Sequence, residues 1–507
     1  MRREQLLERL RGTPRWDVLV IGGGATGLGC AVDAAARGYS TLLLEAHDFA
    51  QGTSSRSTKL IHGGVRYLAQ GRIGLVREAL AERATLLANA PHLVHPQRFV
   101  VPVYRQWDRL VLAAGLTAYD WLAGARSLGP SRLLSVDDTL AALPGVQAAG
   151  LVGGIAYMDA RFEDTRLAIA LMRTAFDLGG LAINHLPVTG LHHEHGKLAG
   201  VGAQDAETGE AFEISAQVVI NAAGVWGDEV RRLDDPAARA QLAPSQGAHA
   251  VLDRRFLPGS DALLIPRTPD GRVLFVIPWQ GRLLLGTTDT PRTDRPLEPR
   301  PLAEEIDFIL DTAGRYLAHR PTRADVRSAF AGLRPLLGAG VGSTAALSRE
   351  HAIEVSAAGL VSVAGGKWTT YRRMAEGIVD RAAVVAGLPF RASTTAKLAL
   401  HGSPGAPSDD VFGTDRAIID RLPGAGRRVH PAFMLSEAEV RHGARSEQAR
   451  AVDDLLARRH RALFIDAPAA IEAAPAVAAI LAEELGWSAA RTAEITEAFR
   501  RVAEGFL

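Results

Sequence analysis

The first strong pattern in the chain is a nearly all-apolar run, Trp16-Asp-Val-Leu-Val-Ile21, set between a polar amino-terminal stretch and a glycine cluster. A short continuous apolar run predicts a parallel strand buried on both faces. Gly22-Gly-Gly-Ala-Thr-Gly27 follows, then small residues at helical spacing from Leu28 to Arg37, then a second apolar run, Ser40-Thr-Leu-Leu-Leu44, that ends at Glu45. The unit reads strand, turn, helix, strand, with an acid about 20 residues beyond the first glycine. Gly22 permits the tight turn, Gly24 lets backbone approach a pyrophosphate, and Gly27 lets helix and strand pack closely. The helix amino terminus offers free N–H groups to phosphates, and Glu45 is placed for a ribose. These features together predict a nucleotide-binding unit.

Beyond Glu45 come a hydroxyl-rich loop, Gln51-Gly-Thr-Ser-Ser-Arg-Ser-Thr58, and the block Lys59-Leu-Ile-His-Gly-Gly-Val-Arg-Tyr-Leu68. Residues 71–90 have the spacing of an amphipathic helix, and 91–150 lack a clear period and are expected to form an irregular or helical cap. Asp159 to Arg166 leads into a further helix. Leu181-Ala-Ile-Asn184 and Val218 to Gly224 read as buried strands of the nucleotide sheet. From about 240 to 335 the alternation is that of antiparallel strands, at Ala248–Leu252, Val273–Pro278 and Arg282–Leu285. Leu360 to Lys367 returns to a buried strand with a glycine turn, Trp368 to Val379 reads as helix, and 388–507 are mostly helical. The division expected is a nucleotide domain in three segments, 14–90, 151–238 and 335–387, around a cap at 91–150 and an antiparallel-sheet substrate domain at 239–334. A carboxy-terminal helical domain follows at 388–507. A discontinuous α/β domain of this kind favours a flavoprotein over a contiguous dinucleotide dehydrogenase fold.

Composition narrows the class. The chain has 507 residues, 47% hydrophobic and 22% charged, and a net charge of +1. That excludes disorder and gives no electrostatic reason to expect nucleic acid. Cys30 is the single cysteine, so no intrachain disulfide or cysteine metal cage exists; its place in the first helix suggests packing. The amino terminus, Met1 to Leu10, lacks an apolar signal core and reads as a short polar helix. Leu110 to Ala125, interrupted by Asp120, is too short to span a bilayer. His192, His193 and His195 sit in a polar hairpin, where a solvated turn is expected and a metal is not.

Several blocks carry a specific resemblance. Ile21 to Gly27, Thr53 to Leu68, Phe275-Val-Ile-Pro-Trp279, Gly286-Thr-Thr-Asp289, Gly332-Leu-Arg-Pro-Leu336 and Gly365-Gly-Lys-Trp-Thr-Thr-Tyr-Arg372 closely resemble the FAD-dependent glycerol-3-phosphate dehydrogenases. Asp454 to Asp466 resembles that family's helical end domain. The resemblance covers essentially the whole chain, in order. It implies a glutathione-reductase-type FAD domain and oxidation of sn-glycerol 3-phosphate to dihydroxyacetone phosphate. It further implies electron transfer to a quinone, peripheral association with the inner face of the cell membrane from the cytoplasm, and a homodimer.

With that resemblance in hand, site residues can be assigned. Gly22, Gly23, Gly24, Thr26 and Gly27 are expected to hold the FAD pyrophosphate and Glu45 the ribose. Thr53, Ser54 and Ser55 should lie along the phosphates or flavin, with Lys59 and His62 also at the cofactor. Val188 matches a position that meets the adenine through its backbone, while Ala223 and Gly224 end a strand near the dinucleotide. Gly366, Lys367 and Thr369 should lie by the isoalloxazine, at the start of a helix that favours the anionic reduced flavin. For the substrate phosphate, Arg66, Arg334 and Lys367 are candidates, with Arg349 and Tyr67 beside them. His249 is the leading base. An oxidase passing electrons to oxygen is the nearest alternative, although no long insertion of the oxidase kind stands out. A non-catalytic dinucleotide sensor is a more distant one. The stretch Trp107 to Leu122, with tryptophan near both ends, is the candidate surface anchor, with Leu112 and Leu116 as probe positions.

Overall fold

A computed structural model of the chain describes residues 3–64, 68, 71–268, 271–338 and 351–507. Arg66, Tyr67 and Arg349 lie outside the described residues.

The opening pattern folds as strand Trp16–Ile21, helix Ala25–Ala36 and strand Thr41–Leu44. Every residue of the first strand except Asp17 is buried, because helices pack on one face of the sheet it enters, and the helix Arg3–Gly12 with the strand Lys197–Gln204 and the start of Ala211–Asn221 packs on the other. Thr41–Leu44 and Ala211–Asn221 flank it in parallel. Leu181–Ile183 and Val361–Ala364 extend the sheet on either side, and Ala352–Val355 closes one edge antiparallel. Three separated stretches of chain therefore build one sheet. Helices Ala25–Ala36, Asp164–Asp177 and Tyr371–Ala386 pack into its core through Leu28, Leu167, Leu171, Met374 and Ile378. Cys30, fully buried in the first helix, is part of that packing.

A second sheet of ten strands stands beside it. Its centre is the antiparallel run Leu242–Asp253, Arg282–Gly286, Leu274–Trp279 and Ala262–Ile265, with Ser328–Leu337 paired along the length of Leu242–Asp253. The alternation at 240–335 is realised here. The segment 91–150 departs from expectation. Val94–Val103 is a ten-residue strand of this sheet, paired with Gly153–Phe162, which also belongs here and not to the nucleotide sheet. Pro96, Pro102, Gly153 and Gly154 break the apolar periodicity that would have announced the pair.

The His192–His195 stretch is a hairpin between Val188–Glu194 and Lys197–Gln204, and His195 and Gly196 take the turn with φ of 50° and 75°. His192 and His193 face different carboxylates, Glu213 and Asp234, and do not converge.

The carboxy-terminal helices Glu437–Ser446, Ala467–Leu485 and Ala489–Ala503 share a core with the second sheet, through Val251, Trp279, Leu284 and Phe330. The stretch 388–436 is largely loop, since its glycines and prolines interrupt helix. Buried charge fastens this region to the nucleotide sheet. Arg459 donates to Asp48 at 2.6 and 2.8 Å, and Arg166 forks onto Glu447 at 2.9 and 2.7 Å. Asp48, His185 and Asp454 approach one another as metal ligands would, but Arg458 and Arg459 already occupy the carboxylates.

Candidate active site

A cavity of about 760 Å³ opens at the carboxyl ends of Trp16–Ile21 and Ala211–Asn221 and runs to the face of the second sheet. That position, outside the carboxyl edge of a parallel sheet, is where open α/β folds bind ligands.

One end is a cradle of bare backbone. Gly22 has φ of +107°, and a Cβ there would lie 2.7 Å from the Ala222 carbonyl oxygen. A Cβ on Gly27 would fall 1.9 Å from the Gly22 carbonyl oxygen, so both turn and helix require glycine. Gly24 takes the N-cap position of Ala25–Ala36 without a side-chain cap, leaving that amino terminus facing the cavity beside Ser54, whose Oγ accepts from the Ala25 N–H at 2.9 Å. Glu45 braces the turn: its two oxygens accept from the N–H groups of Gly23 at 2.6 Å and His47 at 2.8 Å. Burial pushes the Glu45 carboxyl up, and those two donors oppose it. Thr26, Thr53, His62, Val188, Ala223 and Gly224 line the same cavity, while Gly23 and Gly27 pack beneath it. A helix amino terminus reached by a bare glycine turn, a lateral acid and a cavity of this size are what FAD requires, so the residues fit the cofactor.

The other end gathers charge. His249 lies on Leu242–Asp253, paired across the sheet with Gly286 and Phe330. Its ring stacks on Phe330 at 4.8 Å, and Nε2 is 2.9 Å from Thr58 Oγ1. A Cβ on Gly286 would sit 2.1 Å from the imidazole, so glycine is what lets the ring lie there. Burial first, then the charges of Lys59 and Arg334, hold the imidazole well below its ordinary value. At neutral pH it is an uncharged acceptor.

Arg334, on Ser328–Leu337, donates from Nη2 to Thr287 Oγ1 at 2.8 Å and the Thr288 carbonyl at 2.9 Å. Its Nη1 reaches Asp289 Oδ1 at 3.3 Å. Gly247 makes room for the guanidinium, since a Cβ there would lie 2.2 Å from Nη2. Lys367 and Thr369 line the cavity from the turn that starts Tyr371–Ala386, with Gly366 beside them. Trp368 Nε1 donates to the Ser54 carbonyl at 2.8 Å, which ties this turn to the hydroxyl loop.

Two expected cofactor residues point elsewhere. Lys59 has φ of +61°, and its ammonium is buried away from the cavity, donating to the Ser55 carbonyl at 2.9 Å and to Asp164. The Trp279 and Phe330 rings lie 5.3 and 5.5 Å from it, and burial lowers its pKa to about 7. Ser55 is also buried, its hydroxyl turned to the carbonyls of Gln51 and Gly52. Thr58 and Arg56 were not anticipated and do line the cavity. Arg56 donates to the Ala331 carbonyl at 3.1 Å and to Glu298. Both stand in the hydroxyl-rich block, but Lys59 has φ of +61°, so no strand alternation in the sequence announces that Thr58 and Lys59 part.

Comparison with known proteins agrees with this geometry. Residues 17–372 match the FAD dependent oxidoreductase family, and residues 361–492 match the C-terminal domain of alpha-glycerophosphate oxidase. The chain is 40% identical over 530 residues to a probable mitochondrial glycerol-3-phosphate dehydrogenase of Caenorhabditis elegans, covering 96% of this chain and 73% of that protein. It is 40% identical over 510 residues to glycerol-3-phosphate dehydrogenase 2 of Mycobacterium bovis, covering 94% and 86%. The crystal structure of glycerol-3-phosphate dehydrogenase from Bacillus halodurans complexed with FAD superposes with a TM-score of 0.80 at 30% identity, over 99% of this chain and 97% of that one. L-alpha-glycerophosphate oxidase from Mycoplasma pneumoniae, at 19% identity and a TM-score of 0.58 over 75% of this chain and 97% of that one, shares the fold. From the glycine cradle to the carboxy-terminal helices, this chain belongs to the FAD-dependent glycerol-3-phosphate dehydrogenase family.

Proposed function

We propose that the protein oxidises sn-glycerol 3-phosphate to dihydroxyacetone phosphate. The observation that carries the reading is that one cavity is lined by the dinucleotide cradle at Gly22 and Gly24, by His249 and by the cations Arg334 and Lys367. FAD, held along Gly22, Gly24, Thr26, Glu45, Ser54 and Gly224, supplies acceptance of the hydride that the carbinol carbon loses. The chain supplies the rest. A dianionic phosphate is attracted by the point charge of Lys367 and by the positive charge of Arg334, whose Nη groups are held in place by Gln246, Thr287, Thr288 and Asp289. Fixing the substrate by its phosphate sets the carbinol carbon in one orientation, which lowers the barrier by several kcal/mol. The hydroxyl proton goes to His249, which burial keeps uncharged and ready to accept it.

The electron acceptor we assign to a quinone, and the working location to a membrane surface on the cytoplasmic side. The support is the helix Gln106–Ala123, which leaves Trp107 73% and Trp121 76% exposed, with Leu110 and Val111 bare between them. Arg105, Arg126 and Arg132, all exposed, lie close to this helix in sequence, and Arg72 and Arg77, also exposed, lie at the start of helix Ile73–Asn89, which packs against it. Tryptophans with basic residues nearby suit the headgroup level of an anionic bilayer. Among the described residues no helix is long and apolar enough to cross a membrane.

The test is a visible spectrum of the purified protein before and after anaerobic addition of glycerol 3-phosphate. A flavin band near 450 nm that bleaches supports the reaction, and reoxidation by a quinone analogue but not by oxygen supports the acceptor. A flavin that glycerol 3-phosphate leaves oxidised discards the substrate.

A further inference from the structure

His249 is held from two sides by consecutive residues. From the cavity side, Thr58 Oγ1 stands 2.9 Å from Nε2. Nδ1 is buried and has no hydrogen-bond partner among the described residues, so Thr58 makes the imidazole's one hydrogen bond among them, and both side chains line the cavity. From the protein side, the Lys59 ammonium is buried against the Phe330 ring on which His249 stacks. The left-handed backbone at Lys59, φ of +61°, is what sends these neighbouring side chains in opposite directions.

We propose that Thr58 relays the substrate's hydroxyl proton to His249, and that Lys59 is the positioning residue that keeps the imidazole ready to receive it. The inference rests on the oxidation assigned above. In the relay the substrate O–H bond breaks as its proton passes to Thr58 Oγ1, and the Thr58 proton passes to His249 Nε2. Thr58 ends as it began, while the electron pair of the substrate O–H becomes the carbonyl π bond as the carbinol hydride departs to FAD. The product is a ketone and an imidazolium.

The surroundings favour an uncharged imidazole before the transfer. Lys59 and Arg334 face it from the hydroxyl loop and from Ser328–Leu337, and Arg461 of the carboxy-terminal region donates to the same Ser55 carbonyl as Lys59. Asp164, on the helix packed below, pairs with Lys59, and Glu163 is engaged by Trp279 and Gln280. Among the described residues the charges that act on the ring are those of Lys59 and Arg334, and no carboxylate offsets them.

The experiment is single-turnover bleaching of the FAD-loaded protein by glycerol 3-phosphate across pH, for wild type, Thr58→Val, Thr58→Ser and Lys59→Met. Thr58→Val should slow bleaching by about 100-fold or more, within the range for losing a proton-transfer group, with substrate affinity little changed. Thr58→Ser, which keeps the hydroxyl, should restore most of the rate and a solvent deuterium effect that Val lacks. Lys59→Met should move the rising limb of the profile to higher pH by about one unit, since a cation has been withdrawn from the imidazole. Equal rates in Thr58→Val and Thr58→Ser, or a rate in Thr58→Val near that of wild type, overturn the relay. An unmoved limb in Lys59→Met overturns its part. Should that variant fail to fold, Lys59→Arg, which retains the charge, must keep the wild-type limb or the assignment falls. A wild-type flavin that does not bleach rejects the reaction itself, which is a different outcome.

Discussion

Phe464, in the carboxy-terminal helical region, meets Phe330 of the second sheet edge to face with ring centroids 4.7 Å apart, and Phe330 in turn stacks on His249. The end domain thus supports the floor of the active site, one ring behind the imidazole. Offset and edge-on aromatic contacts add about 0.5–1.5 kcal/mol each beyond area burial. Phe506 extends the stack at 5.0 Å from Phe464.

Truncation at this position tests the link. Phe464→Ala should cost about 3–5 kcal/mol as a buried aromatic deletion. The FAD cradle shares no side chain with the cluster, so the purified variant should keep its flavin while Tm and the bleaching rate both fall. Measuring flavin content, Tm and rate on one preparation checks this. A rate unchanged at lowered stability would separate the end domain from the chemistry.

The glycine turn gives a sharper expectation. A Cβ on Gly27 would overlap the Gly22 carbonyl oxygen at 1.9 Å, whereas a Cβ on Gly74 meets nothing within 4 Å. Gly27→Ala must displace the turn and should purify colourless. Gly74→Ala, inside helix Ile73–Asn89, should stay yellow and gain about 0.5–1 kcal/mol from the higher helix propensity of alanine. Absorbance at the flavin band against protein concentration settles both.

Much of this was legible in the sequence because the determinants are local. The strand–turn–helix–strand unit needs only a dozen side chains in order, and Gly22, Gly24 and Gly27 sit where steric room demands glycine. His249, Arg334 and Lys367 were legible as members of distinctive blocks, and they converge on one cavity. What failed was non-local. Val94–Val103 is a strand because Gly153–Phe162 lies beside it, and its own prolines argue otherwise. Lys59 has the appearance of a phosphate ligand in the one-dimensional text; only the sign of its φ and the carboxylate of Asp164, 105 positions away, show that it is turned inward.

The buried charges joining the end domain to the nucleotide sheet predict a pH signature. Burial alone would lower the His442 pKa, but Asp415 and Glu447, 3.4 and 3.5 Å from its Nε2, outweigh it and raise it. A histidine raised on folding contributes stability that is complete below its unfolded value of about 6.5 and is lost as pH rises through the raised value. Lys59 and His460, both lowered by burial, act in the opposite sense, so the wild-type curve alone is not diagnostic. The difference is. The Tm gap between wild type and His442→Gln should be widest below about pH 6 and should close as the solution becomes alkaline. Thermal unfolding from pH 5 to 9 reads it, and a gap that widens with pH would contradict the assignment.

The surface helix offers the last test, and the structure changes which residues should carry it. Leu116 is buried with 2% exposure, and Leu112 packs beside it against the second sheet, so aspartate at either would damage the fold and say nothing of a membrane. The residues turned outward are Trp107, Leu110, Val111 and Trp121. An interfacial helix binds through buried apolar area plus attraction of nearby basic residues to anionic lipid. Each arginine near such a surface contributes about 1 kcal/mol, a term that salt screens. Trp107→Ser with Trp121→Ser should therefore abolish flotation with anionic vesicles while leaving flavin bleaching by glycerol 3-phosphate intact, because neither tryptophan lines the cavity. Raising the salt should weaken wild-type flotation as well. Flotation that survives the double substitution would move the docking surface elsewhere on the molecule.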